Sequence, residues 1–241
     1  MIESLLLTST RVLTFDRQQP LTNATGFFFE REERLFLVTS RHVVVDERSN
    51  HFPDRIQIEL HVDSENLTQS VEFSIPLYRD GKSIWRQGRD TAGEIDVAVL
   101  EIERGALPAT AAYSAFTPYS LFEEPPEVGT TLLVVGFPLG FHDTLHHMPV
   151  VRHAVIASSF GLRFQGKGYF LTDARTHSGT SGAPVVMRRQ GELRPPDDLP
   201  WVLLGVHSAR LDVGTRDFKM DEALGLNCSW YADILTTLTE S

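Results

Sequence analysis

A single cysteine, Cys228, stands among 241 residues. No internal disulfide can form, so a reducing, cytoplasmic setting is expected. The sequence also lacks any apolar run near the roughly 20 residues needed to cross a bilayer. Its first residues, MIESLLLTSTRVLTF, put Glu3 where a secretory leader carries positive charge and offer no small-residue cleavage site, so no removable leader is expected. In that compartment the sequons at Asn23, Asn66 and Asn227 carry no glycosylation meaning. Positive charge is in deficit: 22 Lys and Arg against 32 Asp and Glu leave a net charge of −10. Such a surface repels phosphate backbones and anionic lipid headgroups, so neither nucleic acid nor membrane is expected as a partner. Internal repeats and low-complexity tracts are missing as well.

What is present is period-two patterning. Alternating or short apolar runs between turn signals predict strands at 5–15, 25–30, 34–40, 55–62, 71–77 and 96–102, then at 130–138, 150–158, 168–174, 182–189 and 201–209. The stretch 106–128 is rich in Pro and Ala and poor in β-branched residues, which marks a linker. The reading is therefore all-β, with one lobe over 1–110, a connection over 111–128 and a second lobe over 129–241. Only the tail, NCSWYADILTTLTES, has helical spacing, with Trp230, Ile234, Leu235 and Leu238 on one face and Asn227 or Ser229 as N-cap.

The segment THSGTSGAPVV, 176–186, holds two serines beside glycines. A serine hydroxyl is a weak nucleophile; it needs a base, a carboxylate behind that base, and N–H donors for the developing oxyanion. Gly179, two residues before Ser181, lets its N–H turn outward without a Cβ clash, and the Ser181 N–H then converges on the same oxygen. Ser178 lacks a preceding glycine and is the weaker candidate. Elsewhere FLVTSRHVV places His42 just past an apolar strand, and GEIDVAVLEI places Asp96 at the head of another. A carboxylate leading into VAVL approaches the core only if it is paired there. Asp90 and Asp46 compete with Asp96 but precede no buried strand.

These residues, with TGFFF, GFPLG and LLGVHS, give a chain that resembles the chymotrypsin-like serine proteases, most closely the bacterial branch containing HtrA-type and glutamyl endopeptidases. The resemblance implies two six-stranded antiparallel β-barrels with a C-terminal helix and the active site at their seam. It implies His42 as general base, Asp96 as its orienter, Ser181 as nucleophile, and the N–H groups of Gly179 and Ser181 as oxyanion hole. No metal or organic cofactor is implied, and the substrate is a protein or peptide. The chain departs from the family at Ala183, where a second glycine is usual, and at Thr180, where extracellular members carry an aspartate that pairs with a freed N-terminus. Activation by N-terminal cleavage is therefore not expected.

By the same resemblance Thr176 and His207 stand where glutamyl endopeptidases hold a substrate carboxylate, Arg175 stands near the pocket floor, and Ser208 borders the pocket. Arg210 replaces a glycine that pairs with extended substrate. These positions point to cleavage after Glu or Asp; the alternative is a pocket for small apolar residues. The loop at 210–227, with Phe218 and Met220, reads as a solvated loop or as a lid or docking surface for a regulatory protein. FHDTLHHMP brings His142, Asp143, His146 and His147 together, but the flanking Gly140 and Pro149 make it a loop rather than a zinc-binding helix. Two rival readings of the whole remain: a protease fold used to bind peptide, and a latent protease activated by a partner.

Overall fold

The computed structural model describes residues 3–190, 199–210 (the last by its backbone) and 224–240. After a 3-10 turn at Leu6–Thr8 come β1 (Ser9–Asp16), β2 (Gln19–Arg31) and β3 (Arg34–Thr39), then one helical turn, α1 (Arg41–Val44). β4 (Arg55–His61), β5 (Ser70–Pro76), the two-residue strands β6 (Tyr78–Arg79) and β7 (Lys82–Ser83), β8 (Trp85–Asp90) and β9 (Gly93–Ile102) follow. Seven of these form one sheet in the order β5-β4-β1-β2-β3-β9-β8, each neighbour antiparallel. The second half comprises β10 (Thr131–Gly136), β11 (Val150–Ile156), β12 (Tyr169–Ala174), β13 (Pro184–Arg188), β14 (Trp201–Arg210) and β15 (Leu226–Tyr231). These close into a six-stranded barrel, β10-β11-β12-β15-β14-β13, and α2 (Ile234–Leu238) follows.

Besides the short β6–β7 pair, which was not expected, two elements differ from the sequence expectation. β8, WRQGRD, is an extra edge strand with almost no apolar alternation, so the first sheet has seven strands rather than six. The expected helix is cut short. Asn227, Ser229 and Trp230 lie in β15, where Asn227 pairs with Thr172, Ser229 with Phe170 and Trp230 with Tyr169. Short apolar segments fit both periods, and here the backbone groups of β12 and β14 required a strand between them. The helix that remains starts at Ile234 after Asp233, with no side-chain cap bond.

Alternation along β3 and β9 assembles the core. Leu35 and Leu37, with Ala98, Leu100 and Ile102, pack inside the first sheet against Val43 and Val44 of α1. The opposite faces, Phe36 and Val38 with Ile95, Val97 and Val99, pack against Val135, Val186, Leu203, Val206, Leu235 and Leu238 of the second half. Each such side chain contributes roughly 1.5–3 kcal/mol of burial, against about 0–1 kcal/mol for an exposed ion pair, so an apolar seam joins the halves. The stretch 106–128 is pinned rather than slack. Phe116 is fully buried edge-on to Phe27 at 5.7 Å, and Leu121 bridges to Leu203.

Candidate active site

Asp96 occupies the same face of β9 as Ala98 and Leu100, the face on which α1 lies. His42, the second residue of α1, therefore sits over it. The His42 backbone N–H donates to Asp96 Oδ1 at 2.8 Å and the imidazole Nδ1 donates to Oδ2 at 2.7 Å. The Ser40 hydroxyl, at the head of α1, donates across the seam to the His207 carbonyl at 3.1 Å. Burial pulls the His42 pKa down, but the Asp96 charge and hydrogen bond, helped by Asp46, outweigh it and hold the pKa above its ordinary value. Arg41 opposes this only weakly, because its guanidinium is held by Glu47 at 2.8 Å and Glu94 at 3.3 Å.

Ser181 stands in the turn that enters β13. Its hydroxyl donates to the Ser208 carbonyl at 2.9 Å rather than to the imidazole. The Ser208 hydroxyl in turn donates to Asp96 Oδ2. Ser208 thus touches both halves of the site by different groups, Asp96 through its hydroxyl and Ser181 through its carbonyl. The sequence placed Ser208 at the pocket border; its side chain faces Asp96 instead, a role the sequence did not signal.

Gly179 has φ 92, and a Cβ there would lie 2.5 Å from Asn23 Oδ1 and from the Phe137 carbonyl. Glycine is thus required where the loop presses on its neighbours. The Ser178 carbonyl accepts from Leu139 N–H at 2.6 Å, and in a planar trans peptide this turns the Gly179 N–H the opposite way. The Thr180 carbonyl accepts from Ala183 N–H at 2.9 Å, which fixes the Ser181 N–H likewise. Among the described residues neither the Gly179 nor the Ser181 amide has an acceptor, whereas Thr180 N–H between them donates to the His177 carbonyl at 3.1 Å. Two donors are left free on either side of an engaged one.

At the open end of the barrel, cross-strand partners share a face. Thr172 with Asn227, and Phe170 and His207 with Ser229, therefore line the same interior. Thr176 and His207 are both buried there, and the Thr176 hydroxyl donates to Asn227 Oδ1 at 2.6 Å. Asn227 in turn donates to the carbonyls of Ala174 at 2.8 Å and Gly225 at 2.9 Å. Ser229 is fully buried beside them. Asn227, Ser229 and Thr172 were not anticipated. Arg175 is not brought to this pocket; it lies exposed just past β12, since an unpaired guanidinium is too costly in the barrel interior. Arg210 pairs through its backbone with Asn227 beyond a register shift, and its side chain lies outside the described residues, as do Phe218, Met220 and the rest of 211–223.

Asp90 and Asp46 are engaged elsewhere, Asp90 with Arg163 at 2.8 Å and Asp46 with the Ser49 hydroxyl at 2.5 Å. In the histidine loop, His146 lies 2.7 Å from Asp143 and His147 2.6 Å from Glu59. Among the described residues no group of side chains is placed to hold a metal ion. A cavity of about 980 Å³ lies away from the serine, on the outside of the barrel between residues 121–127 and Trp201, and takes no part in this chemistry.

A model of the trypsin-like peptidase domain matches residues 24–194. Among solved structures, a serine endoprotease from Yersinia pestis superposes with a TM-score of 0.56 at 15% identity, over 97% of this chain and 62% of that one. This chain thus spans less than two thirds of the Yersinia enzyme. The active form of the Rv3671c protease from M. tuberculosis gives 0.54 at 15% identity, over 97% and 80%. The scabies mite inactivated protease paralogue S-I1 gives 0.57 at 18% identity, over 97% and 92%. These likenesses establish the chymotrypsin-type fold. No curated protein matches the sequence.

Proposed function

The chain belongs to the trypsin-like peptidase domain family, and on that footing we propose that it is a serine endopeptidase with Ser181, His42 and Asp96 as its catalytic triad. Ser181 Oγ attacks the carbonyl carbon of the scissile bond while its proton passes to His42 Nε2. The oxyanion is received by the N–H groups of Gly179 and Ser181. His42 returns the proton to the leaving amine as the C–N bond breaks. Water, deprotonated by His42, then hydrolyses the acyl-enzyme and releases a carboxylic acid. Asp96 keeps Nδ1 protonated, so that Nε2 is the basic nitrogen, and it stabilises the imidazolium. The observation that carries the reading is the two-point attachment of His42 to Asp96, with Ser208 contacting Asp96 by its hydroxyl and Ser181 by its carbonyl.

The pocket is read as favouring Glu or Asp before the scissile bond. His207, Thr176, Asn227 and Ser229 supply polar groups on one interior face, and that face bears no carboxylate among its described residues. A cytoplasmic setting belongs to the same proposal, supported by the free, buried Cys228. The test is hydrolysis of internally quenched peptides that differ only before the cut. Turnover should fall by about 10⁵-fold or more in Ser181→Ala, and Glu should be preferred over Leu and Lys. A preference for Leu or Lys would remove the acidic assignment and leave the peptidase reading intact.

One observation favours the latent form of this reading. The Ser181 hydroxyl is satisfied by the Ser208 carbonyl, so a rotation about Cα–Cβ must re-aim it at the imidazole before attack. In the latent reading a regulatory protein promotes that rotation, and basal turnover rises when the partner is added.

A further inference from the structure

We propose that Thr25, a buried residue of the first sheet, is a positioning residue for the oxyanion hole, its hydroxyl latching the serine turn with both donors facing the substrate. The proposal rests on the peptidase reading above and names what holds the two amides in place.

Thr25 lies in β2 and is fully buried. Its hydroxyl donates to the Gly179 carbonyl at 2.7 Å and accepts from the Phe137 N–H at 3.1 Å. Its backbone N–H donates to the Ser181 carbonyl at 2.9 Å, and its own carbonyl accepts from the Thr39 hydroxyl at 2.8 Å. Both partners of the hydroxyl belong to the second half of the chain, 154 and 112 residues away. A hydroxyl has one proton to donate, and this one goes to the serine turn. Thr25 thus grips the turn on both sides of Thr180 and ties it to the end of β10.

Four successive carbonyls of the turn, Ser178 to Ser181, each accept a hydrogen bond. Leu139 N–H serves Ser178 at 2.6 Å, Ala183 N–H serves Thr180 at 2.9 Å, and Thr25 serves the other two. The peptide plane joining Gly179 to Thr180 lies between the two free amides. Glycine, at φ 92 here, has little steric preference for the orientation of that plane, so it must be held from outside. One edge is held by Thr180 N–H, which donates to the His177 carbonyl at 3.1 Å; the other is held by the Thr25 hydroxyl. Rotation of the plane would carry the Gly179 and Ser181 N–H groups off a common target.

The neighbours leave room for this side chain and little else. A Cβ on Gly136 would lie 2.7 Å from Thr25 Oγ1 and 3.3 Å from its methyl, and one on Gly182 would overlap the Thr25 carbonyl. Gly136 has no left-handed φ, so close approach to Thr25, and not backbone conformation, calls for glycine there. Branching at Cβ restricts χ1 of threonine, so the hydroxyl is aimed before substrate arrives.

The experiment compares wild type, Thr25→Val and Thr25→Ser on a small peptide anilide, at a temperature where each is folded. Valine keeps the shape and deletes the hydroxyl; serine keeps the hydroxyl and deletes one methyl. Thr25→Val should lower kcat by about 10–100-fold, part of the loss expected for a missing oxyanion donor, with KM within about twofold. The acid limb of its pH profile should stay in place, because His42 and Asp96 are untouched. Thr25→Ser should restore kcat to within about threefold of wild type. A peptide trifluoromethyl ketone adds the second readout: Ser181 Oγ adds to the ketone carbon, its proton passes to His42, and the former carbonyl oxygen becomes the oxyanion. Its affinity should fall by the same factor as kcat/KM, while the corresponding alcohol, which forms no adduct, binds equally to both proteins. If Thr25→Val does not fold, Gly136→Ala takes its place, displacing the hydroxyl instead of deleting it, with the same split of kcat from KM expected. A folded Thr25→Val or Gly136→Ala with wild-type kcat overturns the proposal, as does a Thr25→Ser as impaired as Thr25→Val, or a change confined to KM; each leaves the peptidase reading standing. A folded wild type that hydrolyses no anilide and forms no ketone adduct removes the peptidase reading and the latch with it.

Discussion

His42 and Asp96 are joined twice, by the backbone N–H to Oδ1 at 2.8 Å and by the imidazole Nδ1 to Oδ2 at 2.7 Å. One carboxylate thereby fixes both the position of α1 and the tautomer of its histidine. The pH profile follows. The His42 pKa lies above its ordinary value of 6.5, and general-base catalysis needs the neutral ring. kcat/KM should therefore rise with pH through a value above 6.5 and then level off. Asp96→Asn removes the charge that raises the pKa, so the acid limb should move to lower pH while the plateau falls by up to about 10⁴-fold. The stability term has the opposite sign. A raised folded-state pKa contributes stability that is fully present below the unfolded value and is lost as pH rises through the folded one.

The serine turn tolerates no β-carbon at its two left-handed glycines. Gly182 has φ 86, and a Cβ there would overlap the Thr25 carbonyl and the Thr39 hydroxyl. Gly182→Ala should lower stability by about 2–4 kcal/mol through strain and overpacking, read as a fall in the urea midpoint at constant m. Gly179→Ala displaces an oxyanion donor, so its main effect should be on kcat, about 10²–10³-fold.

Arginines from the first sheet hold the end of the chain across the seam. Arg31 donates to the Thr236 carbonyl, and Arg86 donates to the carbonyls of Leu238 (3.4 Å) and Glu240. The Thr236 and Leu238 carbonyls are ones that α2 leaves without helical partners, at the negative end of its dipole, and Glu240 follows the helix. Arg31→Ala and Arg86→Ala should each cost about 1 kcal/mol, seen as lower melting temperatures with unchanged anilide kinetics.

Cys228 should be inert. Burial pushes its thiol up to about 11, so thiolate is scarce at neutral pH. Alkylation by iodoacetamide at pH 8 should be far slower in the native protein than in denaturant, and it should not track loss of activity. Rapid native alkylation coupled to inactivation would show a reactive thiol.

How much could be read from the residues depended on how each feature is encoded. β3 and β9 were legible because LFLV and VAVL are short, continuous apolar runs, and the pairing of His42 with Asp96 because a carboxylate leading into such a run approaches the core only when it is paired. β8 was not legible: an edge strand buries little, so WRQGRD carries no periodicity. β15 passed for a helix because Trp230, Ile234, Leu235 and Leu238 satisfy helical spacing, while its strand character comes from partners 17 to 61 residues away in the chain. The turn of the Ser208 hydroxyl toward Asp96, and the gathering of Asn227 and Ser229 beside Thr176 and His207, depend on cross-strand register and on the shift between His207 and Arg210. Register of that kind is settled by packing of the whole barrel, and no local motif records it.

The most direct measurement is the intact mass and adduct site of the protein after exposure to a fluorophosphonate, in which the activated hydroxyl displaces fluoride from phosphorus. A single adduct on Ser181 in the wild type, none in Ser181→Ala and sharply slowed labelling in His42→Ala are predicted. A folded wild type that takes no label, or one labelled on Ser178 instead, would contradict the assignment of the nucleophile and its base.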